Sequence, residues 1–133
     1  MYKSVKFITE VPYTDFSTFY LFCKSLKTLL PIVIENIKKK EIPSIYNTVK
    51  RVLKGFDIGV SNIKIYHYYC DIFYAYLTLK KEAEEFEFNV GIKDALEISR
   101  EMSIPIFVRD RILENYGIKI TKDLLIKSLR DSN

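Results

Sequence analysis

The chain has 133 residues, a formal net charge of +4 and a hydrophobic content of 48%. This length suits one domain with one core, and the apolar content excludes a disordered chain. The mild basic excess is compatible with a nucleic-acid partner without requiring one. We therefore expect a single domain over residues 1–133, and the apolar spacing described below makes it a single helical domain.

Two further properties of the composition concern the source and the compartment. Trp and Gln are absent while Ile and Lys are abundant, a bias that predicts a thermophilic source, archaeal or viral, although an AT-rich genome favours the same residues. No apolar leader follows Met1, and no uncharged stretch approaches the roughly 20 residues that cross a bilayer. We expect a cytoplasmic protein that makes no membrane contact.

Residues 2–10 contain β-branched side chains in partial alternation, which predicts a short strand or extended arm that Pro12 ends. Two longer apolar stripes follow, and both have the three- and four-residue spacing of one face of an α-helix. They predict helices over about 15–40, with a kink near Pro31, and over about 62–87. The first stripe contains Phe16, Phe19, Cys23, Leu26, Leu30, Val33 and Ile37, and the second contains Ile65, Tyr69, Ile72, Tyr76, Leu79, Ala83 and Phe86.

The second stripe has an alternative interpretation as a β-hairpin of residues 63–69 and 72–79 around Cys70 and Asp71. We favour the helix, because those two residues are poor at the positive φ angles of a two-residue hairpin turn. The fold class we predict is mainly α: a compact multi-helix bundle with two long helices and a short N-terminal strand or arm.

Shorter helices are predicted after Ser44 and over about 92–102, 105–116 and 121–131, the last capped by Thr121. The glycines fall at the ends of these predicted elements, which supports the segmentation. They are Gly55, Gly59, Gly91 and Gly117.

Basic side chains gather where the first long helix ends and the next helix begins. Together they could contact backbone phosphates, although lysines near a helix C-terminus also occur for capping and solvation. We predict a nucleic-acid-binding edge formed by Lys38, Lys39, Lys40, Lys50, Arg51 and Lys54.

The predicted second long helix is apolar on nearly all sides in its first two-thirds, and it is rich in tyrosine. Such a helix is surrounded, either by its own core or by a partner. The partner-binding residues we predict are Tyr66, Phe73, Tyr74 and Leu77.

Two stretches near the C-terminus resemble known families. Residues 98–104, followed by Arg111-Ile112-Leu113, look like a helix-turn-helix. Residues 104–110 with 117–120 resemble the end of PIN-type nucleases, in which a strand delivers an acidic residue to a metal site. That resemblance implies a metal-dependent nuclease using Glu10, Asp94 and Asp110.

Metal and cofactor sites have little support elsewhere in the chain. Cys23 and Cys70 are too few for a four-cysteine zinc site, and we expect buried free thiols, with a disulfide as the alternative. His67 and Cys70 form a pair three residues apart, but there is no second histidine. We predict no metal and no cofactor.

These observations favour a small non-catalytic helical binding protein that acts in a nucleic-acid or nucleoprotein context through the basic edge. The first alternative is a helical scaffold or inhibitor module that binds another protein or a second copy of itself. The second alternative is a degenerate PIN-like metal-dependent nuclease.

Overall fold

The computed structural model describes residues 1–35 and 45–131. The described chain is dominated by strands, so the predicted mainly α, multi-helix bundle is wrong. Its elements are β1 (Tyr2–Pro12), β2 (Phe16–Cys23), β3 (Thr28–Glu35), α1 (Ile45–Gly55), β4 (Gly59–Tyr69), β5 (Ile72–Lys81), β6 (Glu84–Gly91), α2 (Ile92–Met102), β7 (Ile106–Arg109), α3 (Asp110–Tyr116), β8 (Ile118–Lys119) and α4 (Lys122–Asp131).

The strands form one eight-stranded sheet in the order β6-β5-β4-β7-β1-β2-β3-β8. β7 lies parallel to β4 and antiparallel to β1. The short β7 therefore joins two antiparallel units, β4–β6 on one side and β1–β3 on the other. None of the helices in the described ranges is long and apolar enough to cross a membrane.

The first apolar stripe belongs to the β2–β3 hairpin rather than to a long helix, except for Ile37, which lies outside the described residues. Leu21 and Ile32, which the helical spacing leaves out, are fully buried together with Leu30. Phe16 and Val33, which the helical spacing includes, are exposed. The burial of β3 alternates with a period of two, as expected of a strand with one covered face. The helix prediction failed because several apolar positions fit both the 3.6-residue period of a helix and the two-residue period of a strand.

The second stripe belongs to the β4–β5 hairpin, which we had weighed as the alternative. Cys70 and Asp71 adopt φ angles of 49° and 64° at its turn. An aspartate tolerates this left-handed conformation, and the Tyr68 hydroxyl donates a hydrogen bond of 3.0 Å to Asp71 Oδ1. The argument against positive φ angles at this turn was therefore wrong.

Several predictions of the shorter elements are confirmed. The N-terminal strand and the helices α1, α2 and α4 occur where the sequence placed them, and the Thr121 hydroxyl accepts a hydrogen bond from the Leu124 N–H. The predicted helix over 105–116 is wrong in its first half, where β7 runs. That strand also rules out a helix-turn-helix, because it occupies the start of the expected second helix.

One hydrophobic core lies between the sheet and the helices α2 and α3. Ile63, Ile65 and Val108 from the central strands pack there with Leu96 of α2 and Leu113 of α3. α1 lies on the same side, because its Val49 and Leu53 line a cavity together with side chains of α2. We call the opposite side of the sheet the open face.

Candidate nucleic-acid interface

The open face of β4, β5 and β6 carries polar and aromatic side chains in cross-strand rows. Lys64, Tyr76 and Asn89 form one row, because Lys64 pairs with Tyr76 and Tyr76 pairs with Asn89. The neighbouring row contains Asn62, Thr78 and Glu87. Alternation along each strand sends these residues to the open face while Ile63, Ile65 and Ala75 enter the core.

A continuous series of aromatic rings runs across this face, and we call it the aromatic row. Tyr76 and Tyr66 are stacked, with ring centroids 3.9 Å apart and planes within 13°. Tyr66 lies 6.4 Å from Tyr74, His67 lies 5.6 Å from Tyr74, and Tyr69 lies 6.3 Å from His67. Tyr74 and Tyr69 are exposed, so part of the aromatic row is open to a ligand.

Two side-chain bridges cross β5 on the open face. Lys64 Nζ lies 2.7 Å from Glu87 Oε1, and the Tyr66 hydroxyl donates to Asn89 Oδ1. The hydrogen bond to Glu87 raises the pKa of Lys64, and loss of solvent around the Tyr66 phenol raises its pKa. Lys64 therefore carries its positive charge at neutral pH directly beside the aromatic row.

A second cation extends this surface towards β1. The Arg109 guanidinium lies 5.5 Å from the centre of the Tyr2 ring, and Lys64 Nζ lies 5.8 Å from the same ring. Cations held against aromatic faces are placed to bind phosphate while the rings accept bases. The aromatic row and these two cations form one continuous surface.

Two buried oxygens lie in the cross-strand row that contains Glu87. Within the described ranges, Asn62 Oδ1 and Thr78 Oγ1 are the buried side-chain oxygen or nitrogen atoms that have no hydrogen-bond partner. Thr78 is fully buried although it belongs to the open face, where it is flanked by Asn62 on β4 and Glu87 on β6. An unpaired buried polar atom costs about 1–3 kcal/mol, so this pair requires an explanation.

The four residues predicted to bind a partner do not share one surface. Tyr66 and Tyr74 belong to the aromatic row on the open face. Phe73 is 8% exposed and belongs to the core, and Leu77 lines the cavity between α1, α2 and the sheet. Of the four, the two tyrosines are the ones that lie on the open face.

The predicted basic edge is described only in part. Lys38, Lys39 and Lys40 lie outside the described residues. Lys50, Arg51 and Lys54 are exposed on α1, on the helical side of the sheet. The described half of this edge and the aromatic row therefore lie on opposite sides of the sheet.

The acidic residues of the PIN-like interpretation do not converge. Asp110 pairs with the N-terminal ammonium at 3.2 Å, and Glu10 accepts from Arg100 Nη1 at 2.9 Å. These two carboxylates lie near opposite ends of β1, roughly 25–30 Å apart for an extended strand. Asp94 lies in the first turn of α2, and the described chain brings no three His, Cys, Asp or Glu side chains together as a metal site.

The two cysteines are both free, and they do not face each other in the core. Cys23 is buried in β2, whereas Cys70 is exposed at the β4–β5 turn. The predicted free thiols are confirmed, but burial holds for Cys23 alone and the alternative disulfide is wrong. His67 contributes a ring to the aromatic row.

The sequence interpretation missed Lys64, Tyr76, Thr78, Glu87 and Asn89 as members of one surface. A signal was present, because polar or aromatic residues alternate with apolar ones along Ile63–Tyr66 and Phe73–Thr78. Reading that alternation as a strand pattern would have placed Lys64 on one face of β4, and Tyr76 with Thr78 on one face of β5.

Comparisons with known proteins indicate the family of this chain. A family model described as a bifunctional nuclease domain matches residues 23–121. Relatives include Bifunctional nuclease 1 of Oryza sativa subsp. indica and Bifunctional nuclease of Oryza minuta, each 31% identical over 83 residues. These alignments cover 60% of this chain and 25% of each relative, so the chain spans about a quarter of their length.

The family match contradicts the predicted non-catalytic helical binding protein, both in its fold and in its lack of catalysis. The matched region contains the whole of β4–β7 and α2, and so includes Lys64, Arg109 and every ring of the aromatic row. Because this match extends over most of its length, the chain belongs to the bifunctional nuclease domain family.

Proposed function

We propose that this chain is a nuclease domain that holds a single-stranded segment of nucleic acid on its open face. The observation that carries the proposal is the aromatic row with Lys64 and Arg109 beside it, inside the region that matches the family. Unpaired bases stack on aromatic rings whatever their sequence, and cations alongside bind the phosphates. A duplex hides its base faces and gains less from such a surface.

Each part of the surface then has its own role. Tyr74 and Tyr69 are exposed and receive bases, while the stacked pair Tyr66 and Tyr76 forms a rigid floor. Lys64 and Arg109 contact the phosphates, which makes binding weaken as salt concentration rises. Hydrolysis of the bound strand is the activity that the relatives' name indicates.

The basic residues of α1 form a second proposed contact. Lys50, Arg51 and Lys54 are exposed, but a strand bound on the open face would have to pass round a sheet edge to reach them. Replacing all three with alanine is therefore expected to lower the salt dependence of binding without changing the preference for single strands.

The cytoplasmic location also stays a prediction.

The proposal is tested with labelled oligonucleotides, single-stranded and duplex, of DNA and of RNA. Binding is measured by anisotropy in EDTA, and cleavage on gels with Mg²⁺, with Mn²⁺ and with EDTA. We expect tighter binding of single strands, and cleavage of at least one of these substrates. Tyr74→Ala should weaken binding about 5- to 150-fold, the loss of one base stack, while Tyr74→Phe retains the ring and the affinity.

The matched control is Tyr13→Ala. Tyr13 is also an exposed tyrosine, but it stacks on Phe16 at the β1–β2 turn, outside the aromatic row. Its loss should leave binding unchanged. Wild-type affinity in Tyr74→Ala would remove the open face as the binding surface, and failure to cleave any of the substrates would remove the nuclease activity.

A further inference from the structure

The two buried oxygens in the row of Glu87 have a chemistry that the aromatic row does not use. Asn62 Oδ1 and Thr78 Oγ1 are both buried and unpartnered. Thr78 pairs directly with Asn62 on one side and with Glu87 on the other. Side chains that are directly opposite on neighbouring strands have Cβ atoms about 4.5–5.5 Å apart, so the three groups can reach a common point.

This set offers an amide oxygen, a hydroxyl oxygen and a carboxylate. Hard divalent cations prefer oxygen ligands, and Mg²⁺ commonly takes only one or two carboxylates and completes its shell with water and substrate oxygens. From this cross-strand placement and the two unpartnered oxygens we infer that Asn62, Thr78 and Glu87 form a binding site for one divalent cation. The site uses a single carboxylate, whereas nowhere in the described ranges do three His, Cys, Asp or Glu side chains come together.

Lys64 has a defined relation to this site. Its ammonium lies 2.7 Å from Glu87 Oε1, where it neutralises the carboxylate that the cation would bind. The ammonium and the cation therefore compete for Glu87. When Lys64 turns towards a phosphate of a bound strand, it releases the Glu87 carboxylate to the cation, so the cation and the strand assist each other's binding.

The inference rests on the proposed function for the purpose of the cation. A divalent cation beside a phosphate polarises the phosphoryl oxygen and orients a water for attack. The residues place this cation next to the aromatic row, because Tyr76 is two positions from Thr78 on the same face of β5.

Binding is measured directly, without an assay of activity. Tb³⁺ replaces hard divalent cations, and it luminesces when a nearby tyrosine is excited; the chain has no tryptophan to interfere. We expect saturable luminescence that Mn²⁺ displaces. Glu87→Gln and Thr78→Val nearly preserve side-chain shape, and each should lower the affinity at least about tenfold.

Lys64→Met supplies the more specific outcome. Removal of the competing ammonium should raise the affinity for Tb³⁺ and Mn²⁺ severalfold. A solely structural salt bridge predicts no such gain. Unchanged or weaker cation binding in Lys64→Met would overturn the inference.

The neighbouring row supplies matched controls. Lys80 and Glu85 pair with each other one row further along β5 and β6, so Lys80→Met and Glu85→Gln make the same changes of charge outside the site. Both should leave cation affinity within about twofold of wild type. If they act as strongly as Lys64→Met and Glu87→Gln, only the general charge of the surface matters and the site is disproved.

The two proposals fail separately. Tb³⁺ binding that depends on Glu87 and Thr78, without cleavage of any nucleic acid, supports the cation site and removes the nuclease proposal. Metal-dependent cleavage that survives in both Glu87→Gln and Thr78→Val supports the nuclease and removes this cation site.

Discussion

At the scale of single residues, the pKa of the Tyr68 hydroxyl depends chiefly on its neighbour Asp71. The hydrogen bond to Asp71 is the largest cause of the raised pKa of Tyr68, and loss of solvent adds to it. When the pKa of a phenol is higher in the folded state than in the unfolded chain, the phenol stabilises the fold at pH values below its unfolded pKa, which is near 10. This contribution is lost as the pH rises through the pKa of the folded state. The affected window is therefore alkaline.

Asp71→Asn separates this charge effect from the turn. Asparagine adopts the left-handed conformation of residue 71 at least as readily as aspartate, so the hairpin should persist and stability at pH 7 should hardly change. The pKa of Tyr68 should fall towards its ordinary value. Tyrosinate absorbance during an alkaline titration measures this, with Tyr68→Phe identifying the Tyr68 step; an unmoved step in Asp71→Asn would contradict the assignment.

At the scale of elements, the end of α3 is held very close to β3. A Cβ added to Gly117 would lie 2.2 Å from Thr28 Cγ2 and 2.5 Å from the Leu113 carbonyl oxygen. The second neighbour is backbone and cannot rotate away, so α3 would have to shift. Gly117→Ala should therefore lower the free energy of unfolding by about 1–3 kcal/mol.

Gly55→Ala is the matched control, because a Cβ at Gly55 would meet no atom within 4 Å. It should be neutral or stabilising by up to about 1 kcal/mol, since alanine restricts the unfolded chain. Urea unfolding followed by circular dichroism compares the two variants. Equal stabilities would show that the contact between α3 and β3 is not tight.

The elements also show what the sequence could and could not predict. The N-terminal strand, α1, α2 and α4 were predictable because their caps, glycines and periodicity agree. The hairpins were not, because Phe19, Cys23 and Leu30 fit both a helical stripe and a strand alternation. Only pairing across the sheet decides between the two periods, and that pairing is not local.

The candidate site has the same limitation. The tyrosines of residues 66–76 were noticed as a cluster, yet helical geometry grouped Tyr66 with Phe73 and Leu77, which lie on the opposite side of the sheet. The register with β6 brought Glu87 and Asn89 to the open face. Local sequence carries no information on a partner strand more than ten residues away.

At the scale of the whole molecule, the four-residue strand β7 connects the two antiparallel units of the sheet. Val108 is fully buried and pairs with Lys3 of β1 on one side and with Ile65 of β4 on the other. A cavity at Val108 therefore weakens both units at once. Val108→Ala should lower the free energy of unfolding by about 2 kcal/mol, from the lost methyl groups and the cavity.

The shared strand makes a stronger prediction about cooperativity. Amide hydrogen exchange in Val108→Ala should show equal losses of protection in the β1–β2 and β4–β5 hairpins, because global opening exposes both. Val33→Ala is the matched control: Val33 is 59% exposed in β3, and its loss should change stability by less than about 0.5 kcal/mol. A loss of protection confined to β4–β6 in Val108→Ala would mean that the two units unfold independently, despite the continuous sheet that β7 completes.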